Sequence, residues 1–88
     1  MVDYKISINN GSFEQNFEFR YDEHNFQWQL YSNGLKMPYS IKIMEDNDST
    51  SYDLCKNDEP IKGFEFEVGA LGNIPNLLEV LMYILKVS

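Results

Sequence analysis

The sequence predicts an α+β domain in which an antiparallel meander sheet of about five or six short strands curls around one C-terminal helix. Apolar and polar residues alternate in a series of short runs, and this period of two is typical of half-buried strands. Turn-forming residues separate these runs at intervals of about eight to twelve residues, as in sheets built from consecutive hairpins. Only residues 73–87 have a helical pattern.

The first three strands are predicted over Val2–Ile8, Phe13–Tyr21 and Phe26–Leu30. The pair Asn10-Gly11 follows the first run, and an Asn-Gly pair tolerates positive φ at both central positions of a tight turn. It is the strongest hairpin signal in the chain. The residues Asp22 to Asn25 supply the next turn.

The last three strands are predicted over Tyr39–Ile43, Tyr52–Leu54 and Phe64–Val68. Residues 35–38 are expected to connect the third strand to the fourth. Because proline cannot donate a ladder hydrogen bond, Pro38 is expected at the start of a strand or at a sheet edge.

The helix is predicted over Asn73–Val87, with Asn73 as N-cap and Pro75 in the first turn, where its missing N–H costs nothing. The expected core face is broad and comprises Leu77, Leu78, Leu81, Ile84 and Leu85. Three further apolar residues flank it and exceed what one sheet contact needs. They are the candidate contacts of a homodimer: Val80, Met82 and Val87.

Length and composition predict a single domain over residues 1–88, because 43% of its 88 residues are apolar and 15% are aromatic. With one cysteine and one histidine, the chain forms no internal disulfide and no Cys/His zinc site. We therefore expect no metal or cofactor. Since the first residues lack an apolar signal core and the longest apolar run is Val80–Leu85, we expect a cytoplasmic protein without a membrane partner.

The net charge of −7 is concentrated in one segment, residues 45–59, which carries −5 of it. Such a surface repels nucleic acid and attracts basic proteins. The candidate partner-binding residues are therefore the six acids of this segment: Glu45, Asp46, Asp48, Asp53, Asp58 and Glu59. The alternative interpretation is a solvated turn that only keeps the protein soluble.

A calcium loop beginning at Asp46 is rejected by its pattern. Ser51 and Asn57 occupy the sixth and twelfth positions, where such a loop needs glycine and glutamate. His24 is expected in an exposed turn, and Cys55 is interpreted as a strand residue without assigned chemistry. No nucleophile motif accompanies either residue, so no enzyme activity is predicted.

The aromatic residues are interpreted as core rather than as a platform for stacking nucleic-acid bases. They alternate with Glu, Gln and Asn, whereas such platforms are interleaved with Lys and Arg. The residues are Phe13, Phe17, Phe19, Phe26, Trp28, Phe64 and Phe66.

In general character the chain resembles the small acidic inhibitors and immunity proteins of phage and plasmids, although no motif carries individual residues over. The resemblance implies occupation of a basic surface on a target, such as a nucleic-acid-processing enzyme. The first hypothesis is therefore a non-enzymatic acidic inhibitor that binds through residues 45–59. The alternative is a structural protein that dimerises through the far side of its helix. A third hypothesis is a ligand pocket between sheet and helix.

Overall fold

The structure is a computed structural model and describes residues 3–47, 49–64, 66 and 76–87, except the side chains of Asn10, Asp46 and Ser49. It confirms the predicted α+β arrangement, with six antiparallel strands and one C-terminal helix. The elements are β1 (Tyr4–Asn10), β2 (Phe13–Asp22), β3 (Gln27–Ser32), β4 (Leu35–Asp46), β5 (Ser49–Lys56), β6 (Glu59–Pro60) and α1 (Leu77–Val87).

The strands pair in sequence order, β1-β2-β3-β4-β5-β6, so every connection in the sheet is a hairpin. Two hairpins contain the two-residue turn that suits the twist of the strands, with positive φ at both central residues. These are Asn33-Gly34, with φ of 49° and 81°, and Asn57-Asp58, with φ of 53° and 64°. The meander of tight turns is therefore set locally by residues that tolerate this conformation.

The first hairpin is shifted by one residue from the predicted turn. Asn10 pairs with Phe13, so the loop is Gly11-Ser12 rather than Asn10-Gly11. Gly11 has φ of 66° and is the first central residue, the position that a type II′ turn reserves for glycine. Glycine, and not the Asn-Gly pair, determines this turn.

Strand β4 begins at Leu35, so the predicted connector at residues 35–38 is part of a strand. The placement expected for Pro38 was wrong, because β4 lies between β3 and β5 in the sheet interior. The register between β3 and β4 shifts between Gln29 and Tyr31, which forms a bulge opposite Leu30. A bulge is the one interior position where proline interrupts no ladder hydrogen bond.

The sixth strand is not the one predicted. It consists of Glu59 and Pro60, which pair with Lys56 and Cys55. Phe64 and Phe66 belong to no strand, although both are partly buried against the core. Val68 lies outside the described residues.

One face of the sheet carries the core, and we call it the inner face. Its buried strand residues pack in one cluster with four residues of α1, namely Leu77, Val80, Leu81 and Ile84. The strand members are Phe17, Phe19, Trp28, Leu30, Tyr39, Ile41 and Leu54. The opposite face, which we call the outer face, carries the residues that alternate with these.

Two of the predicted core aromatics are exposed. Phe13 lies at the tip of the first hairpin, paired with Asn10, and Phe26 lies in the four-residue turn between β2 and β3 with φ of 51°. Both are more than 60% exposed, because each lies where the sheet ends and no neighbouring strand covers it. Both alternate with polar residues in the same way as the buried aromatics do. The two-residue period of the sequence therefore does not distinguish exposed from buried aromatic residues.

The N-cap of α1 is Asn76, three residues after the predicted Asn73. The Asn76 side-chain oxygen accepts a hydrogen bond from the Glu79 backbone N–H at 3.2 Å, and its carbonyl accepts one from the Val80 N–H. This is the geometry of an N-cap and its third helical residue. Asn73 and Pro75 lie outside the described residues.

The core face of α1 is narrower than predicted and rotated. Leu77, Val80, Leu81 and Ile84 follow the spacing i, i+3, i+4, i+7 and are buried, whereas Leu78 and Leu85 are 54% and 39% exposed. The helix is apolar on nearly every side, so its sequence allowed several orientations. Contact with the sheet selected one of them.

Candidate functional site

The six acidic candidates do not form one patch. Glu45 lies one residue before the end of β4, whereas Asp58 and Glu59 lie at the β5–β6 hairpin. Glu45 pairs with Thr50 and Glu59 with Lys56, so the two ends are about 20 Å apart along β5 at roughly 3.3 Å per residue. Asp53 lies between them on the outer face, opposite Lys42. Asp48 and the side chain of Asp46 lie outside what the structure describes.

Exposed carboxylates without ionic partners occupy both ends of β5. In the described part of the chain, the ion pairs are those of Glu18 with Lys5, at 3.8 Å, and with Arg20. Glu45, Asp58 and Glu59 are exposed and take part in neither. None of the three is held in an ion pair by a described residue, so their charge is available to a partner.

The predicted dimer contacts on the far side of α1 are changed by the helix orientation. Val80 is fully buried in the core of its own chain, so its assignment as a dimer contact was wrong. Met82 and Val87 are exposed, at 59% and 54%. Leu78, Met82 and Leu85, at i, i+4 and i+7, form an exposed apolar stripe along one side of the helix.

The outer face holds a groove that the sequence did not predict. It has a volume of about 940 Å³ and lies over β2, β3 and β4, with walls from the β2–β3 turn and from the β5–β6 turn. Its floor contains Gln27 and Ser40, which are only 9% and 3% exposed. This groove lies opposite the helix, so it is not the predicted pocket between sheet and helix.

Gln29 fixes one side of the groove by holding the β4 bulge in place. Its side-chain N–H₂ donates to the carbonyl oxygens of Met37 and Tyr39, at 2.6 and 2.9 Å. The bulge turns these carbonyls away from the β3 ladder, and the amide supplies the donor that they would otherwise lack. The Pro38 carbonyl accepts from the Asn57 N–H at 2.8 Å, which ties the bulge to the β5–β6 turn.

Charged residues of both signs line the groove. Arg20 forms an ion pair with Glu18, and its Cζ lies 3.9 Å from the centre of the Tyr31 ring. Glu18 raises the pKa of Arg20, so this guanidinium stays charged. Lys36 and Lys42 also line the groove and make no ion pair within the described ranges.

Asp22 is the last residue of β2, beside the turn at one end of the groove, and accepts hydrogen bonds from that turn. Its carboxylate accepts from the Asn25 side-chain amide at 2.7 Å and from the His24 backbone N–H at 3.0 Å. These hydrogen bonds, led by that of Asn25, hold the pKa of Asp22 below 3.8, the ordinary value. The His24 side chain is exposed, as predicted.

Cys55 is fully buried, and burial raises the pKa of its thiol. A thiol with a raised pKa holds little reactive thiolate near neutral pH. Within the described residues, no three His, Cys, Asp or Glu side chains cluster in a way that would hold a metal ion.

Comparison of the chain with protein-family models, with curated proteins and with solved structures finds no match. Among the residues that the structure describes, no helix is long and apolar enough to span a membrane. The interpretation of the site therefore rests on this chain alone.

Sequence reasoning missed Gln27, Ser40 and the groove that they floor. The available signal was that β3 presents glutamines, not charged residues, at its outward positions Gln27 and Gln29. Uncharged amides at outward positions are compatible with a partly enclosed surface. The bulge and the turns that enclose it depend on tertiary contacts and left no periodic signal.

Proposed function

We propose that this protein is a non-enzymatic acidic binding module that acts as an inhibitor or immunity-type protein by occupying a basic surface on a target protein. A nucleic-acid-processing enzyme is the target class with the surface chemistry that fits best, because such enzymes hold cations ready for a phosphate backbone. The supporting observation is the pair of exposed carboxylates near the two ends of β5, Glu45 and Glu59, which form no ion pair with any residue that the structure describes.

The separation of the two acidic ends changes the form of the proposed contact. A target engaged by both ends presents cations about 20 Å apart, rather than one basic pocket. Contacts of this kind act mainly on the rate of association and weaken as salt screens them.

The test is capture of a partner from a lysate of the source organism, with a matched pair of variants. Glu45→Lys/Glu59→Lys reverses one charge at each end of β5, and Glu14→Lys/Glu23→Lys makes the same net change at two other exposed positions. We expect the wild type and the control to retain the same partner at low salt and release it at high salt, and the first variant to lose it. Equal loss in both variants, or in neither, contradicts the proposal.

A second candidate function is self-assembly through α1, supported by the exposed stripe Leu78, Met82 and Leu85. The spacing i, i+4, i+7 matches the apolar seam by which two helices pack together. Sedimentation at micromolar concentrations should then show a dimer that Met82→Lys dissociates. Leu35→Lys is the matched control, because Leu35 is an apolar residue outside α1 and is 74% exposed. A wild type that stays monomeric removes this candidate.

A further inference from the structure

The floor of the outer-face groove contains a polar group that the described residues do not satisfy. The Oγ of Ser40 is enclosed and has no hydrogen-bond partner among them. Gln27 lies beside it, is 9% exposed and makes no side-chain hydrogen bond within the described chain, and its amide atoms are not enclosed as the Ser40 Oγ is. Since buried polar groups are almost always hydrogen-bonded, the unsatisfied Ser40 hydroxyl in this floor indicates a site whose partner is another molecule.

Gln27 and Ser40 lie close together on this floor. Gln27 is the Cα partner of Lys42, and Ser40 is two residues before Lys42 on β4, so all three side chains lie on the outer face. The amide of Gln27 offers both a donor and an acceptor, as does the Ser40 hydroxyl. A matching ligand therefore carries donors and acceptors of its own, as a peptide amide does.

The charges around the floor set a second requirement. Arg20 pairs with Glu18, and Asp22 accepts hydrogen bonds from its neighbouring turn. The other charged residues that line the groove form no ion pair within the described residues. They are two cations, Lys36 and Lys42, and two anions, Glu23 and Asp58. Lys42 is the Cα partner of Gln27 and so adjoins the floor, and Asp58 belongs to the β5–β6 turn that walls the groove. A purely anionic or purely cationic ligand would leave one sign unmatched.

We propose that this groove binds a short peptide of mixed charge, with Gln27 and Ser40 hydrogen-bonding its amides, Lys42 its carboxylate and Asp58 its ammonium group. The volume of about 940 Å³ is at the upper end of the range for small-ligand sites, which suits a peptide of a few residues. This site shares Asp58 with the acidic residues of the proposed inhibitor function, but Glu45 and Glu59, which test that function, do not line it.

The test is a titration of ¹⁵N-labelled protein with three tetrapeptides, followed by NMR. One peptide carries a lysine and a glutamate, one two lysines and one two glutamates. We expect the mixed-charge peptide to shift the Gln27 side-chain amide and the Ser40 backbone amide, and to bind more tightly than the other two. Gln27→Leu and Lys42→Met should each raise its Kd roughly two- to tenfold, the effect of one hydrogen bond.

The controls separate binding from folding. Lys62→Met removes an exposed cation outside the groove and should leave the Kd unchanged. Gln27→Leu replaces an amide that makes no hydrogen bond within the described residues, so its thermal unfolding temperature should not fall below that of the wild type. The proposal is overturned if the mixed-charge peptide shifts neither resonance at millimolar concentration, if Gln27→Leu and Lys42→Met bind as the wild type does, or if a single-sign peptide binds as tightly.

Discussion

At the scale of single residues, the outer face of the sheet contains both the best satisfied and the least satisfied polar side chains. Gln29 donates to two carbonyl oxygens, and Ser40, its Cα partner, has no partner for its hydroxyl. A buried hydroxyl without a hydrogen bond costs about 1–3 kcal/mol relative to its exposure in water. These neighbouring residues should therefore respond to substitution in opposite directions.

Ser40→Ala should raise the free energy of unfolding by about 1 kcal/mol, because it removes an unsatisfied hydroxyl and little volume. Urea denaturation followed by fluorescence of Trp28 measures this change. Ser51→Ala is the control. Because Ser51 is exposed, this substitution should change the free energy of unfolding by no more than about 0.5 kcal/mol. Destabilisation by Ser40→Ala would mean that the hydroxyl is satisfied in solution.

Gln29→Leu should lower the free energy of unfolding by about 1–3 kcal/mol, because it leaves two carbonyl oxygens of the β4 bulge without donors. Gln15→Leu is the comparison, since the Gln15 amide makes one hydrogen bond, to the Ser32 hydroxyl at 3.2 Å. The same urea titration should give a smaller loss for Gln15→Leu. Equal losses would show that the bulge does not depend on the Gln29 amide.

At the scale of elements, specific hydrogen bonds stabilise the start of the helix and the turn between β2 and β3. The helix begins where Asn76 caps the Glu79 N–H, and the β2–β3 turn closes where Asp22 accepts two hydrogen bonds. Each is a local interaction, so each can be removed without disturbing the core. The two predictions that follow concern these ends.

Asn76→Ala should lower the free energy of unfolding by about 1 kcal/mol, the usual loss when an N-cap is removed. Asn73→Ala is the informative comparison, because the sequence favours Asn73 as the cap and the structure assigns that role to Asn76. Thermal unfolding of both variants should show the larger loss for Asn76→Ala. A larger loss for Asn73→Ala would show that Asn73, and not Asn76, is the N-cap.

Asp22 should make the stability of the β2–β3 turn dependent on pH in the acid range. Its pKa is lower in the folded protein than the ordinary value of 3.8, so its contribution is fully present above that value and is lost as pH falls through the folded pKa. Free energies of unfolding measured between pH 2 and pH 6 should decline less steeply below pH 4 in Asn25→Ala, which removes the main cause of the shift. An unchanged slope would contradict this role for Asn25.

At the scale of the whole molecule, like-charge repulsion is only weakly offset by ion pairs. The chain has 14 acidic and 7 basic residues, and the ion pairs in the described part of the structure are the two that share Glu18. Folding brings the remaining carboxylates closer together than they are in the unfolded chain. Net charge of this kind destabilises the compact state.

Moderate salt should therefore stabilise the protein, because screening acts on the net repulsion more than on two surface pairs. We expect the Tm to rise as NaCl increases from about 10 mM to about 300 mM, over which the screening length shortens several-fold. KCl should give the same rise if screening is the cause. A Tm that falls with either salt would indicate that favourable ion pairs outweigh the repulsion.

The sequence by itself determined the local features of this protein. Alternation in runs such as Phe17 to Tyr21, and tight turns such as Asn33-Gly34, produce consecutive hairpins without reference to distant residues. The net charge of −7 is likewise a property of composition. These features give the strand order because neighbouring strands in sequence pair with each other.

Only the tertiary structure decided which residues of each sequence pattern come into contact with one another. Val80 and Leu78 are equally apolar, and only contact with the sheet buries the first and exposes the second. The bulge at Pro38 and the turn at Asp58 come together around Ser40 through contacts between strands, so no periodic signal foretold the groove. Acids adjacent in the sequence were likewise separated by the length of β5, because an extended strand carries its two ends far apart.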